Sequence, residues 1–105
     1  VRERLERCGY RVTTLADAFQ AAELLTADIF AYDLLLTDQS MPQMTGMELA
    51  ERVLALRPDF PVVICTGHIG AVDHWAAERI GIKEVIMKPL GTSELLHAIA
   101  KALAA

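Results

Sequence analysis

Residues 34–38 read Leu-Leu-Leu-Thr-Asp, an apolar run that closes on a carboxylate. Two further runs have the same form: residues 62–66 read Val-Val-Ile-Cys-Thr, and residues 85–88 read Val-Ile-Met-Lys. Side chains that are apolar on successive positions predict strands buried on both faces, as in a parallel sheet covered by helices. The three runs therefore predict an α/β fold of the doubly wound class.

Helical patterns fill the segments around these runs. The predicted helices cover residues 1–8, Asp17 to about Thr26, Thr45 to about Leu56, 71–80, and a last segment from Ser93 onward. Gly9 ends the first helix, Thr45 and Glu48 form a capping box, and Ser93 caps the last helix. The core stripe predicted for the last helix consists of Leu95, Leu96, Ile99 and Leu103. Residues 10–15 are rich in β-branched side chains and predict another strand, so the elements follow the order αβαβαβαβα.

Composition limits the functional classes. The chain has 105 residues, which fits one domain, and its 53% hydrophobic content excludes intrinsic disorder. No apolar run approaches the roughly 18 residues of a membrane span, so we expect no membrane contact. The net charge of −4, without a basic cluster, argues against nucleic-acid binding. Cys8 and Cys65 lack metal spacing and are interpreted as reduced packing residues of a cytoplasmic protein.

The chain opens with a helix, although the first strand of a doubly wound sheet usually lies at its centre. Our hypothesis is that a first strand precedes Val1 in the natural protein. The complete sheet would then have the strand order 2-1-3-4-5.

Three different polar groups follow the three apolar runs: the carboxylate of Asp38, the hydroxyl of Thr66 and the ammonium of Lys88. Right-handed crossovers bring the ends of parallel strands to one edge of the sheet, so we expect these groups to converge. A carboxylate there can act as a nucleophile and form an aspartyl phosphate. Lys88, the Thr66 hydroxyl and loop amides such as that of Met41 would stabilise the phosphoryl oxygens, with Mg²⁺ between the anions. Taken singly, each residue has an ordinary structural role, as a turn residue, a strand former or a solvated charge.

The sequence resembles the receiver domains of bacterial two-component signalling over essentially its whole length. The residues that carry the resemblance are Gly9–Val12, Leu34–Gly46, Pro61–Gly67 and Met87–Leu90. The amino-acid sequence of residues 37–42 and 81–90 resembles that of receivers at the C-terminus of hybrid histidine kinases. The flavodoxin-like sheet of that family agrees with the fold class predicted from the strands.

The resemblance implies how the phosphoryl group is handled. Asp38 would be the phosphoacceptor, taking its phosphoryl group from a phosphohistidine on a histidine kinase or a histidine phosphotransfer domain. Thr66 would be the switch hydroxyl, and Lys88 would pair with phosphorylated Asp38. Met41 and Gly67 would complete the phosphoryl-binding loops.

The resemblance also implies a metal site and a set of tuning positions. Mg²⁺ would be held by the Asp38 carboxylate and the backbone carbonyl of Ser40. Ser40 and His68 occupy the positions that tune the lifetime of the phosphoryl group. The Lys88–Pro89 peptide would be cis.

Two departures from the family pattern leave an alternative open. The acidic pair that binds Mg²⁺ at the end of the first strand would lie upstream of Val1, and Val85 stands where the family often has Tyr or Phe. The usual coupling of the switch hydroxyl to an aromatic side chain therefore cannot operate as it does elsewhere in the family. The alternative is a pseudo-receiver, a protein-interaction module that is not phosphorylated.

A third possible function is that of a phosphohydrolase with a nucleophilic aspartate. Such an enzyme would need a second acid two residues after Asp38 as its general acid, and Ser40 at that position argues against this function.

The remaining singled-out residues are expected to be structural. His74 and His97 lack metal spacing and are predicted on helix surfaces. Trp75 is either a packing residue or a contact for a partner, and we expect it to be buried or half-buried. Receivers commonly dimerise or signal through their last helices, which here suggests a homodimer through residues 71–104.

Overall fold

The computed structural model describes residues 2–7, 9–13, 17–41, 44–67, 72–88 and 91–104. The helices are α1 (Arg2–Arg7), α2 (Ala18–Ala27), α3 (Gly46–Leu56), α4 (His74–Ile80) and α5 (Thr92–Ala104). The strands are β1 (Leu35–Asp38), β2 (Val62–Thr66) and β3 (Glu84–Met87). A short 3-10 turn at Ile29–Ala31 joins α2 to the segment before β1.

The sheet confirms the predicted α/β fold. Its described strands lie parallel in the order β1-β2-β3, with β2 in the middle. Asp38 of β1 lies opposite Cys65 of β2, and Thr66 lies opposite Met87 of β3. The three strands therefore end at the same edge, as the sequence predicted.

Both faces of the sheet are covered, which explains the continuous apolar runs. On one face, Val62 and Ile64 of β2 pack in a core with side chains of α2, α3 and α4. On the other face, Val63 packs against α5, and Leu5 of α1 joins the α5 core beside it. Alternate residues of one strand thus enter opposite cores, so neither face can be polar.

Helix termini follow the predicted capping chemistry with two exceptions. Thr45 and Glu48 form the expected capping box at α3. Helix α4 begins at His74, three residues later than predicted, because Asp73 accepts hydrogen bonds from its first amides. Helix α5 begins at Thr92, so Ser93 lies inside the helix; the carbonyl of Gly91 accepts from the amide of Leu95.

Two predictions of packing were wrong. Trp75 is 66% exposed, because it lies on the outer side of α4, where the guanidinium of Arg79 stacks 4.7 Å from its ring. Leu103 is 41% exposed, since Ala98 and Ala102 face the sheet at that end of α5. Leu95 and Ile99 are buried as expected, and His74 and His97 lie on the surface as predicted.

The strand predicted over residues 10–15 does not form in its described part. Residues 10–13 belong to no strand, and residues 14–15 lie outside the described ranges. Tyr10 and Val12 pack instead against the cluster of Leu5, Leu95 and Ile99. A strand needs a hydrogen-bonded neighbour, and within the described part of the chain β1 pairs with β2 alone.

Candidate functional site

An ion pair marks the carboxyl edge of the sheet. The Nζ atom of Lys88 lies 2.8 Å from Oδ1 of Asp38, joining the residue at the end of β1 to the residue after β3. Both side chains are about half exposed, at 51% for Asp38 and 46% for Lys88. The carboxylate is therefore paired with a cation and still accessible to another molecule.

Thr66 occupies the same edge between these two groups. It follows Cys65, the register partner of Asp38, and its carbonyl accepts a 2.8 Å hydrogen bond from the amide of Lys88. Thr66 is buried, whereas the next residue, Gly67, is exposed, and no atom of the described residues lies within 4 Å of where its Cβ would be. The structure thus pairs the predicted carboxylate of Asp38 with the ammonium of Lys88 and places Thr66 at the end of the strand between them.

The loop after β1 presents the next predicted residues. Ser40 is exposed, and Met41 is half-buried with its sulfur 3.6 Å from the hydroxyl of Thr37. His68 and Pro89 lie outside the described residues. Val85 is half-buried in the middle of β3, where it packs against the core formed with α2, α3 and α4.

Two further residues shape the site. Gln39 is 8% exposed, and its Oε1 accepts a 3.0 Å hydrogen bond from the amide of Met47 in the first turn of α3. Gly46 comes so close to the strand end that a Cβ there would lie 2.5 Å from the carbonyl oxygen of Asp38. Sequence reasoning assigned a role to neither residue. The sequence offered one signal for each: Gln39 is a polar residue directly after the strand, and Gly46 is a glycine directly after the helix cap Thr45.

Cys65 is a buried, neutral thiol beside the ion pair. Burial raises its pKa from the usual 9.0 to about 11; the charge of Asp38 adds to the rise, and the charge of Lys88 opposes it. The thiolate is the reactive form of cysteine, so this side chain is unreactive at neutral pH. Its free, buried state agrees with the predicted packing role, and Cys8 lies outside the described residues.

The Cys65 thiol gives a pH-dependent prediction. Between about pH 9 and pH 11 the thiol is ionised in the unfolded chain and still protonated in the folded protein, which favours unfolding. The contribution of the neutral thiol to the free energy of unfolding is therefore complete only below pH 9. That contribution is lost as the pH rises toward 11, by up to about 1.4 kcal/mol per pH unit. Urea unfolding at pH 8 and pH 10.5 is expected to show a larger loss of stability for the wild type than for Cys65→Ala. Equal losses in the two proteins would contradict the assignment.

The donor set can contribute to a magnesium site. Mg²⁺ is usually held by one or two carboxylates together with substrate phosphate oxygens and waters. The accessible carboxylate of Asp38 and the carbonyl of Ser40 are ligands of the right kind. Within the described ranges, no three His, Cys, Asp or Glu side chains gather closely enough to hold a metal ion. An anionic substrate and further oxygen ligands would therefore have to complete the coordination.

Comparison with known proteins assigns the family. The family model for the response regulator receiver domain matches residues 1–100. The chain belongs to the response regulator receiver domain family. Receiver CpdR of Brucella abortus is 35% identical over 101 residues, covering 96% of this chain and 82% of that protein. A receiver domain protein from Clostridium thermocellum superposes with a TM-score of 0.90 at 27% identity, covering 98% of this chain and 82% of the other.

The comparisons confirm the resemblance to receiver domains and the flavodoxin-like class of the fold. The chain is a receiver domain of two-component response regulators. It also matches the transcriptional regulator DctD of Rhizobium meliloti at 31% identity, covering 97% of this chain and 22% of that protein. This chain therefore spans about a fifth of DctD but most of CpdR. None of its described helices is long and apolar enough to cross a membrane.

Proposed function

We propose that Asp38 is the phosphoacceptor of this receiver domain. The observation that carries the proposal is the 2.8 Å ion pair between Asp38 and Lys88 at the exposed edge of the sheet. It provides a nucleophilic carboxylate next to a fixed positive charge, and phosphoryl transfer depends mainly on positioning and charge neutralisation.

The proposed transfer needs few protein groups. An Asp38 carboxylate oxygen forms the new bond to phosphorus while the bond from phosphorus to the imidazole nitrogen of a phosphohistidine breaks, and the electron pair leaves with that nitrogen. Lys88 and the Thr66 hydroxyl stabilise the charge on the phosphoryl oxygens, assisted by the loops that carry Met41 and Gly67. The 51% exposure of Asp38 agrees with a donor that approaches from solvent.

Receiver domains generally bind Mg²⁺ at the phosphorylation site and receive phosphoryl groups from histidine kinases or phosphotransfer proteins. We extend both properties to this chain, with Asp38 and the Ser40 carbonyl as metal ligands and with Ser40 and His68 tuning the phosphoryl lifetime. We place the domain in the cytoplasm, where ATP supplies histidine kinases, and at the C-terminus of a hybrid kinase. Neither nucleic acid nor membrane is a proposed partner of this domain.

A further strand beside β1 is part of the proposal. One edge of β1 pairs with β2, whereas no strand in the described part of the chain pairs with its other edge. Leu34 and Leu36, near that edge, are half-buried. A strand that precedes Val1, with residues 10–15 paired as a strand on its far side, would complete the 2-1-3-4-5 order and bring additional acidic ligands to Asp38. We also place a homodimer contact on residues 71–104, where Trp75 and Met87 are exposed.

Phosphorylation at Asp38 is tested on the native-length domain, meaning residues 1–105 with any segment that precedes them in the natural protein. We expect one added phosphoryl group in the intact mass after incubation with a small acyl phosphate and Mg²⁺, and none after chelation of the metal. Borohydride reduction, which converts an acyl phosphate to an alcohol, is expected to mark Asp38 in a peptide map. The absence of an adduct would favour the pseudo-receiver.

A further inference from the structure

Gln39 is buried between two exposed neighbours. Asp38 and Ser40 are open to solvent, whereas 8% of Gln39 is exposed. Buried amide side chains need hydrogen-bond partners, and Oε1 of Gln39 accepts from the amide of Met47 at 3.0 Å. Met47 lies in the first turn of α3, where backbone amides have no partner within the helix. The side chain therefore satisfies a helix terminus from the loop that follows the phosphoacceptor.

The backbone of Gln39 is fixed as well. Its amide donates to the carbonyl of Cys65 at 2.9 Å, and its carbonyl accepts from the amide of Gly46 at 3.0 Å. Gln39 is thus attached to β2 through one bond and to α3 through two. These bonds hold the first residue after Asp38, and the chain continues from there directly to Ser40 and Met41.

We propose that Gln39 is a positioning residue for phosphorylation of Asp38. Its hydrogen bond to Met47 fixes the turn between β1 and α3, and thereby the direction of the Asp38 carboxylate and of the backbone at Ser40 and Met41. The inference rests on the proposed function. It assigns the positioning role to the side-chain oxygen of Gln39 that accepts from the Met47 amide, and a substitution that keeps an acceptor there tests that assignment.

Gln39→Met removes the hydrogen-bond acceptor and keeps nearly the same side-chain length. Gln39→Glu retains an acceptor, and its negative charge is stabilised near the N-terminus of α3. Gln20→Met makes the same exchange at an exposed position of α2 and is the matched control. In the native-length domain, we expect Gln39→Met to lower the maximal rate of phosphoryl uptake about tenfold, because small displacements of a reacting group are costly. The half-saturating concentration of acyl phosphate is expected to change less than twofold.

Hydrogen exchange provides the readout that is independent of phosphorylation. We expect the Met47 amide to exchange about tenfold faster in Gln39→Met, since its acceptor is gone. Gln39→Glu is expected to restore both uptake and protection to within about threefold of the wild type, and Gln20→Met to match the wild type.

Unchanged uptake in Gln39→Met, unchanged exchange at Met47, or equal defects in Gln39→Met and Gln39→Glu would overturn the positioning role. A wild type that takes up no phosphoryl group would overturn the proposed function, and the positioning role with it. The two failures are distinguishable because only the second affects the wild type.

Discussion

Replacing Asp38 by Asn is expected to abolish phosphoryl uptake and to leave the fold intact. An amide is not a nucleophile toward phosphorus, so uptake from an acyl phosphate should fall by about 100-fold or more. The side chain is half exposed, and its pairing with Lys88 occurs at the surface. Exposed ion pairs contribute at most about 1 kcal/mol to stability, so the unfolding midpoint should move little. Intact mass and urea unfolding of the native-length domain measure the two effects.

The chain offers a matched control for this substitution. Asp59 is another exposed carboxylate in an ion pair, with its Oδ1 3.1 Å from Nε of Arg57, and it lies outside the strand-end site. Asp59→Asn removes the same charge and is expected to take up one phosphoryl group like the wild type. Persistent uptake in Asp38→Asn would assign the phosphoacceptor to another side chain. A loss of uptake in both variants would indicate a general effect of net charge.

The convergence of Asp38, Thr66 and Lys88 could be predicted because it follows from topology. Parallel strands joined by crossovers must end at one edge, so residue types at strand ends are sufficient to place the groups together. The capping box of α3 could also be predicted, since Thr45 and Glu48 are only three residues apart in the sequence. Such features depend on local order and connectivity, which a single sequence contains.

The wrong predictions depended on tertiary contacts. Trp75 has the apolar surface of a core residue, yet α4 turns it outward against Arg79. The β-branched residues at 10–15 favour a strand, but a strand also requires a pairing neighbour. For Gln39, the polar side chain directly after a strand was not a sufficient signal, because its role depends on where α3 begins relative to the end of β1. Propensity describes which secondary structure a residue prefers. The structure at Trp75, at residues 10–15 and at Gln39 depends instead on which elements lie next to them in the fold.

Gly46→Ala is expected to destabilise the domain, although alanine is the better helix former. Gly46 is the first residue of α3, and the exchange would favour the helix by up to about 1 kcal/mol on propensity alone. The new Cβ would lie 2.5 Å from the carbonyl oxygen of Asp38 and 3.2 Å from the Cα of Gln39, which are backbone atoms that cannot rotate away.

The helix or the strand end must therefore shift, and we expect a net loss of about 2–3 kcal/mol in the free energy of unfolding, as in overpacked cores. Gly67→Ala is the control, because its Cβ would meet no atom of the described residues within 4 Å and its φ is not positive. That variant should stay within about 0.5 kcal/mol of the wild type. Equal stabilities of Gly46→Ala and Gly67→Ala would mean that α3 does not contact the backbone of the phosphoacceptor. The same shift that relieves the clash also moves the peptide between Asp38 and Gln39, so the substitution affects the phosphoacceptor as well as the stability of the domain.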